Sequence, residues 1–217
     1  MDASPDFPVR HRWPVSVRAG EVVLRPLTAR DELGWETLRV ANQRWTARWD
    51  ATLPPEADEH ALSVGKWLKR MHKLGRQGSA LPWALAIDPG WPHAPRPAEH
   101  CQLIGQVSVA NIIHGSARSA AIGYWIDEGH AGRGLMPRAV ALAADYCWQV
   151  LRLHRIEIAI RPENIASLRV VEKLGFREEG LRPRFLHIAG DWRDHRVFAL
   201  NREEVPPGGL LGRITAV

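Results

Sequence analysis

The sequence predicts one mixed α+β domain in which strands and helices alternate along the chain. Its 217 residues, 45% of them hydrophobic, suffice for a single core of ordinary size. Several short runs alternate apolar with polar residues, as half-buried strands do, whereas other runs repeat apolar residues at helical spacing. We therefore expect one domain over residues 21–205, with an N-terminal arm at 1–20 and a C-terminal tail at 206–217.

The first half of the chain predicts a strand and two helices with a loop between them. The arm is rich in Pro, Arg and Trp and lacks periodicity, so it is expected to pack late in folding or to stay mobile. The run EVVLRPL at 21–27 alternates as a strand does, and Thr28 is suited to cap a helix that carries Leu38. A tryptophan-rich loop then extends to Pro55, and apolar residues at helical spacing predict a second helix over 56–77.

The second half predicts a strand meander, two helices and a closing hairpin. Three strands follow residue 82, with a Pro-rich insertion at 89–97. A strong apolar face predicts a helix over 135–151, HRIEIAI a strand, and NIASLRVVEKLG a helix closed by Gly175 in a left-handed C-cap. The last two strands form a hairpin that turns near Gly190, and the tail is expected to be loose.

Composition limits the partners and the compartment. The net charge is +5, but Lys and Arg never form a run of five or six, so direct nucleic-acid binding is not expected to be the primary activity. A phosphorylated ligand suits the charge equally well. Cys101 and Cys147 have no CxxC spacing, which predicts neither a disulfide framework nor a cysteine metal site. Without a secretory or membrane-spanning apolar segment, a cytoplasmic protein is expected.

A glycine loop, Gly129-His130-Ala131-Gly132-Arg133-Gly134, lies between a predicted strand and a predicted helix. Glycines there let the backbone approach an anion while the unpaired N–H groups of the helix start point at it. Glycines between elements are also common turn residues, so both interpretations stay open at this point. A dinucleotide fingerprint is disfavoured, because Pro137 occupies the place of its third glycine and the preceding strands form a meander.

The segment ENIASLRVVEKLGF favours the anion-binding interpretation of the glycine loop. Together with the glycine loop some 30 residues before it, it resembles the GNAT superfamily of N-acetyltransferases. The resemblance covers about residues 21–201. The motifs GYWID, HAGRGLMPRAV, RPENIASLRVVEKLGF and AGDWRDH are similar to the RimJ and RimL group, and the last of them favours RimJ. The resemblance implies a mixed, mostly antiparallel sheet of about six to seven strands flanked by about four helices.

The resemblance also implies acetyl-CoA as acyl donor, no metal, and the N-terminal α-amine of a protein, such as a ribosomal protein, as acceptor. Two positions depart from the superfamily pattern: Gly129 replaces an Arg or Gln, and Val171 replaces the tyrosine that protonates the departing thiolate. Ser167 resembles the hydroxyl to which this group assigns that role, although a serine in the first turn of a helix is also common without any function. The residues implied in coenzyme binding are Ile126, Asp127, Gly132, Arg133, Gly134, Leu135, Met136, Asn164, Ser167 and Lys173. Asn164 is equally suited to act only as a helix N-cap.

The chemistry needs a neutral amine, an oxyanion donor and an acid for the thiolate. A lysine amine of pKa about 10.4 is roughly 0.04% neutral at pH 7, whereas an α-amine of pKa about 7.8 is roughly 10% neutral, so a weak base suffices for an N-terminus. Asp127 is the candidate base, and the backbone N–H near Ile126 is the candidate oxyanion donor. Trp45, Trp49 and Asp50 are the predicted acceptor wall, although both tryptophans could equally cover the core.

Two other functions remain open. A small amine such as an antibiotic, an amino acid or a polyamine could be the acceptor, because a fold does not fix its substrate. A non-catalytic module that associates with RNA or the ribosome could keep the same fold and the basic surface. The sequence has no HExxH array and no GxSxG elbow, which disfavours zinc-peptidase and serine-hydrolase chemistry. An oligomer is compatible with all of these.

Overall fold

The computed structural model describes residues 7–8, 11–57 and 62–215, which form one eight-stranded sheet and six α-helices. The predicted α+β class is confirmed, with slightly more strands and helices than expected. The strands are β1 Val17–Ala19, β2 Val22–Pro26, β3 Leu81–Ile87, β4 Gln102–Ile113, β5 Ser119–Ile126, β6 Arg155–Ile160, β7 Arg177–Ile188 and β8 Asp191–Asn201. The helices are α1 Glu32–Ala41, α2 Gln43–Thr46, α3 Val64–Arg76, α4 Leu135–Gln149, α5 Ile165–Leu174 and α6 Gly209–Thr215.

Some boundaries differ from the sequence prediction. The expected first strand is preceded by a further strand, so residues 17–19 of the expected arm belong to the sheet. The helix expected from residue 56 begins at Val64, because Ser63 has an extended backbone at the N-cap position; residues 58–61 lie outside the described part. Four residues of the predicted tryptophan-rich loop form the short helix α2. The turn predicted near Gly190 is confirmed.

The sheet is antiparallel except at its centre. Its strand order is β1-β2-β3-β4-β5-β6-β8-β7, and β5 and β6 run parallel because the chain crosses over through α4 between them. Their pairing ends at Ala121 and Glu157, whereas β5 stays paired with β4 as far as Ile126. The sheet therefore splits beyond residue 121, and one edge of β5 is open.

Helix α4 fills the core against the sheet. Nearly every residue from Leu135 to Trp148 is buried. The rings of Tyr146 and Trp83 meet edge-on with centroids 5.2 Å apart, which fixes α4 against β3. The Nδ1 atom of His11 lies 2.8 Å from the Tyr146 hydroxyl, so the end of the arm that precedes β1 also packs on this core.

The expectation of a loose tail is wrong for residues 209–215, which form α6. Leu210 and Leu211 are buried, and their backbone N–H groups donate to the Asp145 carboxylate of α4 at 2.9 and 3.0 Å. Two adjacent leucines are too short a run to show helical periodicity. The partner that orders them, Asp145, is about 65 residues away in the sequence, so local patterning could not predict this contact.

Candidate active site

The split in the sheet leaves hydrogen-bonding groups of β5 without a strand partner. The Asp127 N–H donates to the Ile104 carbonyl at 2.7 Å, in line with β4. Because successive residues of a strand direct their N–H and C=O groups to opposite edges, those of Tyr124 and Ile126 face the open edge. There the Ile126 carbonyl accepts a hydrogen bond from Trp45 Nε1 at 3.0 Å. An extended ligand that bears amides can pair with such an edge.

The glycine loop follows directly and has the backbone geometry of an anion site. Gly132 and Gly134 have φ of 75° and 74°, and a Cβ at either position would meet no heavy atom within 4 Å. Backbone conformation, and not crowding, therefore requires these glycines. Gly134 is the N-cap of α4 and makes no side-chain cap bond, so the N–H groups of Leu135 and Met136 are unpaired within the helix. Arg133 is exposed between the two glycines and adds positive charge.

The start of α5 lies across the split from β5. Asn164 Oδ1 accepts a hydrogen bond from the Ser167 N–H at 3.2 Å, which makes Asn164 the helix N-cap. The Tyr124 hydroxyl reaches over from β5 and donates to the Ser167 carbonyl at 3.4 Å. Lys173 is exposed near the other end of α5, about 9 Å along the helix axis from Ser167 at 1.5 Å per residue. The structure thus brings Ser167, but not Lys173, next to the open edge.

Tyr124 is a candidate functional residue that the sequence analysis did not single out. It lies on the open part of β5 and its hydroxyl is at the first turn of α5. Burial raises its pKa, against the smaller effect of the hydrogen bond to Ser167, so the phenol stays protonated at neutral pH. Its position in the sequence could have indicated this role. In GYWID the tyrosine precedes Ile126 by two residues, so its backbone groups face the same edge of the strand as those of Ile126.

Asp127, the predicted base, is held in a small polar cluster. Its Oδ1 accepts a hydrogen bond from Asn42 Nδ2 at 2.7 Å, and its Oδ2 lies 2.7 Å from His130 Nδ1. Burial alone would raise the pKa of Asp127, but the hydrogen bonds from Asn42 and His130 outweigh it and hold the pKa below its ordinary value. The carboxylate is therefore ionised and orients His130. His130 was also missed, although an aspartate three residues before a histidine at a loop is a visible signal.

The predicted acceptor wall lies beside this cluster. Trp45 is half-buried and bonded to β5. Trp49 is half-buried between two guanidinium groups, those of Arg48 at 5.2 Å and Arg161 at 5.4 Å from the ring centroid. Asp50 forms an ion pair with Arg39 at 2.5 Å, so its charge is already balanced. Both tryptophans are only half-buried, so the two interpretations stay open.

The loop after α2 also contacts the β7–β8 hairpin. The Thr52 N–H donates to the His187 carbonyl at 2.9 Å, the Thr52 hydroxyl lies 2.8 Å from His187 Nδ1, and Ala51 forms a bridge with Ile188. These bonds join the tryptophan-bearing loop to the hairpin. The tryptophan-bearing loop and the hairpin therefore form one continuous surface.

Other kinds of site find little support among the described residues. Those residues contain no group of three or more His, Cys, Asp or Glu side chains arranged to hold a metal ion. Cys101 and Cys147 are both buried and not joined to each other. None of the described helices is long and apolar enough to cross a membrane.

Comparison with known proteins agrees with this geometry. The chain is 33% identical to Mycobacterium smegmatis RimJ, solved in complex with CoA-disulfide, with a TM-score of 0.82 over 94% of this chain and 95% of that one. It is 28% identical over 197 residues to the ribosomal protein uS5-alanine N-acetyltransferase of Escherichia coli, covering 89% of this chain and 94% of that protein.

A shorter match is closer in identity. The probable N-acetyltransferase YjcK of Bacillus subtilis is 46% identical over 99 residues, which are 46% of this chain and 55% of that protein. The match therefore spans only about half of the length of YjcK. The family model described as an acetyltransferase (GNAT) domain matches residues 21–177. Since this is well over half of the chain, the protein belongs to the GNAT family of acetyltransferases.

Proposed function

We propose that this protein transfers the acetyl group of acetyl-CoA to the N-terminal α-amine of a protein, and that the acceptor is a ribosomal protein. The observation that carries the proposal is the likeness to a RimJ over almost the whole length of both chains, at 33% identity. The relative named for acetylating an alanine of ribosomal protein uS5 also matches over most of its length.

In the proposed complex the coenzyme lies along the open edge of β5. The amides of its pantetheine arm pair with the backbone groups of Tyr124 and Ile126, and its pyrophosphate lies at the glycine loop. The unpaired N–H groups there and the positive end of the α4 dipole favour an anion. Trp45, whose indole N–H occupies the Ile126 carbonyl, would lie against the arm or yield this acceptor to it. The N–H of Ile126 or Tyr124 is the proposed oxyanion donor.

The proposed proton acceptor is the Asp127–His130 pair. Both carboxylate oxygens of Asp127 are engaged, so His130 is the member that can take a proton, directly or through a water. Removing a proton from an α-amine at pH 7 costs little more than about 1 kcal/mol, compared with about 4.6 kcal/mol for lysine. A weak histidine base therefore matches an N-terminal acceptor better than a lysine side chain.

The proposed acid for the departing thiolate is a hydroxyl at the start of α5. A CoA thiol of pKa near 8.5 is about 1.5 units above neutral pH, which one donated hydrogen bond of ~2 kcal/mol can offset. Ser167 is the first candidate, and the Tyr124 hydroxyl beside it is the second. Either hydroxyl would take the role of the superfamily's tyrosine, in whose place this chain has Val171.

The proposed acceptor site lies beside the open end of β5, where the tryptophan-bearing loop joins the β7–β8 hairpin. Trp45 and Trp49 form its wall. Asp50 attracts an incoming ammonium group less than a free carboxylate would, because Arg39 already pairs with it.

The test is a pair of peptides of one sequence that begins with alanine or serine. One peptide has a free N-terminus and a blocked lysine, and the other has the reverse. Acetylation from acetyl-CoA is followed by mass spectrometry, with free amino acids, a polyamine and an aminoglycoside as further acceptors. We expect the free N-terminus to react fastest. Faster acetylation of the lysine or of a small amine would contradict the acceptor while leaving the acyl donor in place.

A further inference from the structure

Helix α3 concentrates the positive charge of the molecule. It carries five Lys and Arg residues and no acidic one. All five side chains are exposed, and they recur at helical spacing along one face, which we call the α3 stripe: Lys66, Lys69, Arg70, Lys73 and Arg76. The sequence contains no run of more than two like charges here, because the five residues are spread over eleven positions, and only the folded helix brings them together on one face.

The charge of the α3 stripe is equal to the net charge of the whole chain. The chain has a net charge of +5 from 29 basic and 24 acidic residues. Without the five cations of the stripe, basic and acidic residues would be equal in number. Outside α3 many arginines are held in ion pairs, as at Arg177 with Glu204 and Arg196 with Glu178. No cation of the stripe forms an ion pair with any residue in the described part of the chain.

The apolar face of α3 is not available to a partner. Leu68 is buried, and Trp67 stacks on Trp35 of α1 with ring centroids 5.4 Å apart. His72 accepts a hydrogen bond from Trp13 on Nδ1 and donates from Nε2 to the Leu27 carbonyl, so its ring is also held against the interior. A helix whose apolar face is packed inward cannot insert into a lipid surface. The groups of α3 that a partner can contact are therefore the exposed Lys and Arg side chains.

The spacing of these charges suits a phosphate chain. The stripe extends over about 15 Å of helix at 1.5 Å per residue. Beside it, an open groove of about 610 Å³ separates α3 from the start of α1, lined in part by Lys66, Lys69 and Arg76. Among the described residues that line this groove, only Glu32 is acidic, so the groove as a whole stays positive. A row of lysines and arginines without exposed aromatics contacts phosphates and does not distinguish bases.

We propose that the α3 stripe is a docking surface for the phosphate backbone of RNA. Packed aromatic side chains separate it from β5, since Trp67 packs on Trp35 and Trp35 in turn meets Trp125 of β5 at 5.4 Å. None of the five residues of the stripe is among those proposed to bind the coenzyme or the acceptor. The surface would therefore hold the enzyme on an RNA-containing particle while a protein terminus enters the active site. RNA binding by the stripe is independent of which amine is acetylated.

The experiment compares two triple variants of the full chain with the same net charge. The stripe variant carries Lys66→Gln, Lys69→Gln and Lys73→Gln. The control carries Arg118→Gln, Arg152→Gln and Arg202→Gln, whose side chains are exposed and lie outside α3. Binding of a fluorescent single-stranded RNA of about 20 nucleotides is followed by anisotropy at salt concentrations from about 50 to about 300 mM, where phosphate contacts dominate the salt dependence. Thermal melting confirms that both variants fold.

Losing three phosphate contacts should lower the slope of log affinity against log salt by about 2 and weaken binding about 100-fold at about 0.1 M salt. The control should bind within about threefold of the parent, and acetylation of a short free peptide should be unchanged in both. Equal losses in the two variants would show that net charge alone attracts RNA and would overturn the proposal. So would binding of the parent to phosphatidylserine vesicles but not to RNA, which would favour a membrane surface. Neither result would affect the acetyltransferase proposal.

Discussion

Replacing Gly134 by valine tests the glycine loop most directly. Gly134 has φ of 74° at the N-cap of α4, and a Cβ there would meet no heavy atom within 4 Å. The cost of the substitution is therefore conformational: about 1–2 kcal/mol for an L-residue in the left-handed region, and more for a β-branched one. The loop is expected to relax out of that conformation and to turn the N–H groups of Leu135 and Met136 away from the pyrophosphate.

The size of the effect follows from the bonds that are lost. A hydrogen bond to a charged group is worth about 1.5–3 kcal/mol, so losing one raises Kd about 10- to 150-fold. Two misdirected N–H groups should make binding undetectable by titration calorimetry with acetyl-CoA. The melting temperature should fall by only a few degrees, as a strain of this size predicts for a chain of this length.

Gly115→Val is the matched control. Gly115 lies in the connection between β4 and β5, also has φ of 74°, and a Cβ there would likewise meet no heavy atom within 4 Å. Both variants should therefore lose similar stability, and only Gly134→Val should lose the coenzyme. Binding by Gly134→Val within about twofold of the parent, a change of well under 1 kcal/mol, would refute the assignment of the loop. Equal loss of affinity in both variants would mean that general destabilisation, and not the loop, explains the result.

Three further predictions follow from the site and the core. Ser167→Ala should lower kcat about 30-fold and raise the acetyl-CoA KM less; if Tyr124→Phe does so instead, with Ser167→Ala silent under chemistry-limited conditions, the acid is the phenol. Asp127→Asn and His130→Gln should each lower kcat about 100-fold, the double variant should lose no more than either, and coenzyme Kd should barely change; additive losses would separate the pair. Burial raises the pKa of Asp145 to about 6 despite the N–H bonds it accepts, so its contribution to stability falls as pH rises from about 4 through 6, by about 2–3 kcal/mol. Denaturant unfolding should show this fall in the parent but not in Asp145→Asn, and the same fall in both would assign it elsewhere.

Local patterning predicted most of the fold. The alternation in β5 and β6, the apolar face of α4, and the cap residues Asn164 and Gly175 all lie within short windows of sequence, and such windows carry secondary structure. The glycine loop was predictable for the same reason, because the positive φ angles at Gly132 and Gly134 are a property of the local backbone and favour glycine.

The rest of the site depends on contacts between distant residues. Asn42 and Asp127 are hydrogen-bonded although 85 positions separate them in the sequence. Because Asn42 and His130 occupy both carboxylate oxygens, Asp127 orients His130 instead of acting as the base itself. Arg39 of α1 forms an ion pair with Asp50, which no pattern predicted because Asp50 lies in the tryptophan-rich segment, where the sequence has no periodicity. The five cations of α3 look scattered in the sequence, because only Lys69 and Arg70 are adjacent and the period of the helix groups the rest.

The order in which the protein is synthesised gives the contact between α6 and α4 a further consequence. Nearly every residue of α4 is buried in the folded protein, but Asp145 and the surface that receives Leu210 and Leu211 are covered only by residues 209–215. A nascent chain that has produced all eight strands therefore still has the Asp145 carboxylate without its two N–H donors and an uncovered apolar patch. Folding on the ribosome can form the sheet early, but the core closes only after α6 has emerged.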